Sequence, residues 1–203
     1  MPTNLILTRP ATPSPPSVDL PPSFTLHPVT HPSDPAFLFL DRLYASDGFP
    51  AGWARQMLER GAQAVVIVQG DAPAASALLI RQPFYVQEIR RTFDPGPDAD
   101  YYFGDFVAPG FRGRHLQRSL IRARLLMTHQ AGRPWALAMT RATPPASLDN
   151  YVAEGFAPSA ELRSRTFSRW QLDRFRFINR QLPHGKLSQE GFRLPFSHRL
   201  RSS

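Results

Sequence analysis

The stretch that most constrains the fold is Val107 to Gly132, V-A-P-G-F-R-G-R-H-L-Q-R-S-L-I-R-A-R-L-L-M-T-H-Q-A-G. It continues the aromatic, strand-like segment Tyr101 to Val107, turns at Pro109-Gly110, passes an Arg-Gly-Arg corner and enters a long amphipathic segment. Leu116, Leu120, Ala123 and Met127 recur at helical spacing, and Ile121 and Leu125 widen the stripe. Arg118, Arg122 and Arg124 fall largely on the other side, and Gly132 before Pro134 is a stop signal. A strand feeding a Gly-containing turn and a helix N-terminus gathers unpaired backbone N–H groups at the positive end of a helix dipole, which suits an anion. A strand–turn–helix unit that binds nothing satisfies the same pattern.

The other elements follow in order. Residues 1–23 carry Pro10, Pro13, Pro15, Pro16, Pro21 and Pro22 without apolar periodicity, and the expectation is a disordered, Pro-rich tail. Ser23 to Val29 reads as a strand. Ser33-Asp34 before Pro35 starts a helix with Phe37, Leu40 and Tyr44 on one face, and a second short helix holds Trp53 and Met57 and ends at Gly61. Gln63 to Gln69 and Ser76 to Gln82 form a hairpin across Gly70-Asp71-Ala72-Pro73, and Phe84 to Phe93 carries the sheet further. After the long helix come a buried-type strand, Trp135 to Thr140, a short helix closed by Gly155, and an alternating strand, Glu161 to Leu172. This β, α, α, β, β, β, α, β, α, β order implies an α/β (α+β) fold: a mixed sheet with helices on its faces. The G-x-G-x-x-G and G-x-x-x-x-G-K-[ST] motifs are both missing, which argues against a Rossmann or P-loop fold.

Composition narrows the chemistry. At 203 residues with 42% apolar content, the chain is long enough for one full core. Its 22 prolines, about twice the usual share, mark loops and tails. The chain has no cysteine, so disulfides, thiolate metal sites and a Cys nucleophile are excluded. Of the six histidines only His27 and His31 stand at H-x-x-x-H spacing, across Pro28 and Val29 in a strand-like segment rather than on a helix, and no H-x-H pair occurs, so no metal is expected. No apolar run reaches membrane-spanning length, and Leu5-Ile6-Leu7 is too short for a secretory signal; the expectation is a cytoplasmic protein. Of the net charge of +8, +7 lies from Glu161 onward, where ten Lys/Arg face three acids. Arg169, Trp170, Arg174, Phe175, Arg176 and Phe177 interleave cations with aromatics there, as single-strand nucleic-acid binders do. An amphipathic extension packed on the domain, or on a second subunit as a homodimer, gives the same pattern and is the expectation in preference to a nucleic-acid partner.

Two motifs then carry a resemblance. Val107, Pro109, Phe111, Arg112 and Gly113 are similar to the V-x-P-x-Y-R-G-x-G-x-G signature of the GNAT superfamily of acyl-CoA N-acyltransferases. Ser147, Tyr151, Gly155 and Phe156 are similar, in register, to the family's N-x-x-S-x-x-x-Y-x-x-x-G-F motif. The resemblance covers roughly Phe24 to Leu172 and implies a mixed, mostly antiparallel central sheet with helices on both faces and splayed central strands. It divides the chain into a tail (1–23), an acyltransferase domain (24–172) and a basic aromatic extension (173–203). Three departures stand out. His115 occupies the place of the second glycine of the pyrophosphate loop, Gln117 that of the third, and Pro144 that of the motif's asparagine. A glycine lets phosphate approach the backbone closely, whereas a histidine can remain helical and donate to the phosphate itself.

The resemblance implies acetyl-CoA as co-substrate and a small-molecule or peptide amine as acceptor. The backbone of Phe106 and Val107 would pair with the pantetheine arm. The N–H groups from Arg112 through Gly113, Arg114, His115 and Leu116 to Gln117 would hold the pyrophosphate, with help from the Arg112 and Arg114 charges. Tyr151 stands at the general-acid position, although its spacing from Leu148 also fits a core aromatic. Ser147 would hydrogen-bond the thiol or pantetheine end, or simply cap its helix. Glu88 and Asp105, on strands flanking the expected cleft, are the candidate general bases, and either could equally form a salt bridge. Tyr44, Phe49, Trp53 and Tyr85 lie in segments that would line the acceptor side. Two other readings remain: a non-catalytic GNAT-like binding module, and a binder of anionic partners through the Arg-rich C-terminus.

Overall fold

The most apolar segments of the chain, Gln63–Gln69 (β3) and Ala72–Ile80 (β4), pair antiparallel and are buried on both faces. Successive side chains of a strand point to opposite sides, so Val66 and Val68 enter one core while Val65 and Ile67 enter another. The computed structural model describes residues 3–11, 17–86, 91–143, 146–167 and 170–178. Among these, eight strands form one sheet. Phe24–Val29 (β2) lies at one edge beside β3 and β4, followed by Ala99–Val107 (β7), Trp135–Arg141 (β8), Thr3–Pro10 (β1), Ala157–Phe167 (β9) and Trp170–Phe177 (β10). All neighbours are antiparallel except β7 and β8, which are parallel and joined by a helix.

Helices cover both faces. Phe37–Ser46 (α1) and Trp53–Glu59 (α2) bury Leu40, Tyr44 and Met57 against Val66, Val68, Leu78 and Ile80. On the other face Leu116–Gln130 (α3) places Leu116, Leu120 and Ala123 on Val65, Ile67 and Ala75. Its Ile121 and Leu125 join Leu7, Leu79, Tyr102 and Tyr151, the last from Ala146–Ala153 (α4). Each fully buried aliphatic side chain contributes about 1.5–3 kcal/mol. The mixed, mostly antiparallel sheet with helices on both faces is the architecture expected from the sequence.

Four expectations need correction. The Pro-rich tail is not all tail: β1 lies between β8 and β9, with Ile6 and Leu7 fully buried. Its prolines do not interfere, because Pro10 is the last residue of the strand. Phe84 to Phe93 does not extend the main sheet; Phe84–Val86 (β5) and Arg91–Phe93 (β6) make a separate two-stranded ribbon. The boundary at residue 172 falls inside β10, whose pairing with β9 extends the sheet to Phe177. Arg124 is not on the polar side of its helix but is fully buried. Residues 179–203 of the proposed extension lie outside the described residues.

Candidate active site

The site is built where the one parallel pair among the described strands separates. The β7–β8 register runs from Ala99↔Trp135 to Tyr102↔Ala138 and stops, although both strands continue. The cause lies in β7. Its pairing with β4 steps from Leu78↔Phe103 to Ser76↔Phe106, so Gly104 and Asp105 together face Ala77 as a β-bulge. Gly104 takes φ +65°, and its carbonyl accepts a 2.6 Å hydrogen bond from the Tyr44 hydroxyl. Beyond the bulge Phe106 and Val107 remain paired to β4 on one edge only.

The split opens into a cleft of about 730 Å³ lined by Asp105, Phe106, Val107, the segment Phe111 to Gln117, Thr140, Arg141, Ala146, Ser147 and Asn150, with Asp47 from the end of α1. One 3₁₀ turn at Pro109–Phe111 leads to Gly113 at φ +78° and His115 at φ +59°. His115 is therefore not helical: it caps α3 in the left-handed conformation, and its side chain makes no cap hydrogen bond. Among the described residues no acceptor meets the backbone N–H groups of Gly113, Arg114, His115, Leu116 or Gln117. Five successive free donors at a helix start form an anion cradle. The Arg114 guanidinium lies 5.7 Å from the Phe111 ring centre and 5.8 Å from that of Phe24, which holds its charge beside the cradle.

The floor of the cleft is a charged cluster. Arg124 meets Asp105 Oδ1 at 2.6 Å and donates to the carbonyl of Leu78 at 3.0 Å, while its guanidinium packs 4.6 Å from the Tyr102 ring centre. The Tyr151 hydroxyl donates to Asp105 Oδ2 at 2.6 Å and accepts from Arg124 at 3.2 Å. Tyr151 is 2% exposed, and burial raises its pKa well above the ordinary phenol value despite the opposing charge of Arg124. The Tyr151 hydroxyl stands behind Asp105, and Asp105 is the member of the pair that lines the cleft. Gln117 ties the walls together: it donates to Ser147 Oγ at 3.0 Å and to Asp105 at 3.4 Å, and accepts from Asn150 at 2.8 Å.

A second cavity, about 540 Å³, opens on the α1–α2 face of the same split. Its walls include Phe49, Trp53, Phe84, Tyr101 and Phe103, together with Gly104 and Arg60. Thr140 and Arg141 line both cavities, so the two meet at the separated strands.

Of the residues singled out from the sequence, the structure gathers Asp105, Phe106, Val107, Arg112 to Gln117 and Ser147 around one cleft, with Tyr151 one hydrogen bond behind it. Phe49, Trp53 and Tyr85 do share the second cavity, whereas Tyr44 is packed beneath Gly104. Glu88 and Pro144 lie outside the described residues. Sequence reasoning missed Arg124, Gln117 as a bridge, Asn150 and Arg141. Only a helical-wheel conflict, an arginine four residues after Leu120 and one before Leu125, pointed to Arg124. Among the described residues no cluster of three or more metal-ligating side chains occurs, and no helix is long and apolar enough to cross a membrane.

No family model and no curated protein matches the sequence. Solved structures do match in fold. A tandem GNAT protein from the clavulanic acid biosynthesis pathway superposes with TM-score 0.56 at 18% identity, over 77% of this chain and 50% of that one. A GCN5-related N-acetyltransferase from Sphaerobacter thermophilus gives TM-score 0.56 at 13% identity over 79% of this chain and 49% of that one. Another from Kribbella flavida gives 0.52 at 15% over 78% and 55%. This chain thus spans about half the length of these structures, and the fold it shares with them is the GNAT fold.

Proposed function

We propose that this chain is an acyl-CoA-dependent N-acetyltransferase that moves an acetyl group from the CoA thioester directly to a primary amine. One observation carries the reading: the β7–β8 split joins an anion cradle on one side of the sheet to an aromatic cavity on the other, with Asp105 and Gly104 adjacent at the junction. The residues present fit the CoA group. The N–H groups of Gly113 to Gln117, with Arg112 and Arg114, offer a site for the pyrophosphate, and the open edge of Phe106 and Val107 offers backbone groups to the pantetheine amides. Ser147 stands at the inner end of this path through its bond to Gln117.

Bound acetyl-CoA supplies an activated thioester carbonyl. Transfer to an amine then requires one proton to leave the nitrogen and one to reach the departing thiolate. In this reading Asp105 takes the amine proton, directly or through water, and the Tyr151–Asp105 pair returns a proton to sulfur. With their oxygens 2.6 Å apart, a proton passes between them and the pair ends each turnover as it began. Arg124, 3.2 Å from the hydroxyl and 2.6 Å from the carboxylate, holds the geometry and balances the charge. Glu88 is the alternative base.

The test is thiol release from acetyl-CoA across a panel of primary amines. Tyr151→Phe is expected to lower kcat by about 10²–10⁴-fold, the usual scale for a positioned acid–base group, with little change in KM for acetyl-CoA. Unchanged turnover in Tyr151→Phe removes the tyrosine from the mechanism. Binding of acetyl-CoA without thiol release for any amine favours the non-catalytic module.

A further inference from the structure

The second cavity has a chemical bias that selects among amines. Its walls are aromatic: Phe49 and Trp53 pack at 4.4 Å between ring centres, Phe84 and Phe103 at 4.4 Å, and Tyr101 stacks on Phe103 at 4° between planes. Among its described lining residues the only charged groups are Arg60 and Arg141, both exposed. No carboxylate is among its described lining residues, and neither guanidinium takes part in the ion pairs among the described residues. Guanidinium stays charged at every accessible pH and pairs best with planar oxyanions. A polyamine, an aminoglycoside or a lysine-rich peptide carries further positive charges, and each would face the two guanidinium cations of Arg60 and Arg141.

Resting on the acyltransferase reading, we infer that the acceptor is a small amine with an aromatic body and a carboxylate, of the aromatic amino acid class. The rings bury the side chain, and the α-carbon, which carries amine and carboxylate together, lies beside Arg141 where the two cavities meet, so that the carboxylate faces the guanidinium groups and the amine faces the junction. A volume of about 540 Å³ accommodates such a molecule and lies within the range of small-ligand sites. The reaction at this acceptor is the balanced transfer described above: the C–S bond breaks, an N–C bond forms, and one proton moves from nitrogen to sulfur.

Two readouts test it separately from the acyltransferase reading. The first is binding without chemistry: thermal unfolding of the full chain with indole-3-propionate, tryptamine or spermidine. Indole-3-propionate is expected to raise Tm. In Arg60→Glu, an exposed position whose side chain makes no bond among the described residues, this gain is expected to disappear while the variant's own Tm stays near wild type. Stabilisation by spermidine or tryptamine in preference to indole-3-propionate, or by none of the three, overturns the inference. The second readout is kcat/KM for L-tryptophan against tryptamine, expected to favour the amino acid at least tenfold in wild type and to fall toward parity in Arg60→Glu. If thiol is released but tryptamine or spermidine is preferred, the acceptor class is wrong and the acyltransferase reading stands. If acetyl-CoA itself fails to bind while indole-3-propionate does, the acyltransferase reading fails and the cavity assignment survives as a binding site.

Discussion

Gly104→Ala is the substitution that tests how the split is made. An alanine there must hold φ +65°, and its Cβ would lie 2.8 Å from Leu78 Cδ1 and 3.0 Å from the Tyr44 hydroxyl, with Trp53 at 3.6 Å. The left-handed backbone costs an L-residue about 1–2 kcal/mol. Overpacking a filled core adds about 1–3 kcal/mol. The upper part of that range applies, because Tyr44 is 1% exposed and tied to the Gly104 carbonyl at 2.6 Å. The two add to roughly 3–5 kcal/mol, which in a chain of this size lowers Tm by roughly 6–20 °C. Gly113→Ala is the matched control: it also has positive φ (+78°), but nothing lies within 4 Å of the added carbon. It meets only the backbone cost, about 1–2 kcal/mol. The assay is thermal unfolding of both variants, with acceptor and acetyl-CoA titrations beside it. Gly104→Ala is expected to weaken acceptor binding and spare acetyl-CoA, and Gly113→Ala the reverse. Equal destabilisation of the two variants would refute the claim that close packing of Leu78 and Tyr44 on Gly104 fixes the bulge.

Three further outcomes follow from the charges. Arg124→Met removes one partner of a buried pair and is expected to cost about 3–5 kcal/mol in urea unfolding, and adding Asp105→Asn should recover part of that loss in a double-mutant cycle. Asp47 lines the anion cleft, and burial holds its carboxyl above the usual carboxylate range, only partly offset by Arg112. Its ionised form is therefore disfavoured in the fold, a cost present at neutral pH and relieved as pH falls through its raised pKa; Asp47→Asn should raise Tm at pH 7 and tighten acetyl-CoA by about fivefold at most, the scale of a partly exposed charge. Asp34 shows the opposite sign. The N–H groups of His31 and Thr30 hold its carboxyl below the usual range, so its contribution is present above the unfolded value and lost as pH falls through the folded one. Asp34→Asn should flatten that acid limb of a pH–stability profile.

The fold was largely legible because most elements announce themselves by period and punctuation. The continuous apolar β3, the Leu116–Leu120–Ala123 stripe of α3 and the glycines at 61, 132 and 155 all sit where the pattern put them. β1 was hidden for a physical reason. Its polar Asn4 and Thr8 are buried along with Ile6 and Leu7, which erases the alternation of a half-exposed strand, and Thr8 is satisfied by a 2.5 Å hydrogen bond to Ser159 that no local pattern reports. The cleft was legible as far as local motifs reach, from Phe106 to Gln117 and from Ser147 to Tyr151. The charged floor was not, because Arg124 and Asp105 are held together only by the packing of α3 on the bulged strand. His115 looked like a defect in the phosphate loop. In the structure it takes the left-handed conformation a glycine would take there, so the row of free N–H groups survives the substitution.

Calorimetric titration of the full chain with acetyl-CoA shows whether the β7–β8 split is an acyl-CoA site. One saturable site per chain is expected, with Kd in the range of about 1 μM to 1 mM typical of enzyme substrates. Affinity is also expected to fall at least tenfold when Arg112 and Arg114 are both replaced by alanine. No heat of binding at millimolar acetyl-CoA, or an affinity indifferent to the two arginines, would contradict the assignment of the split to acyl-CoA.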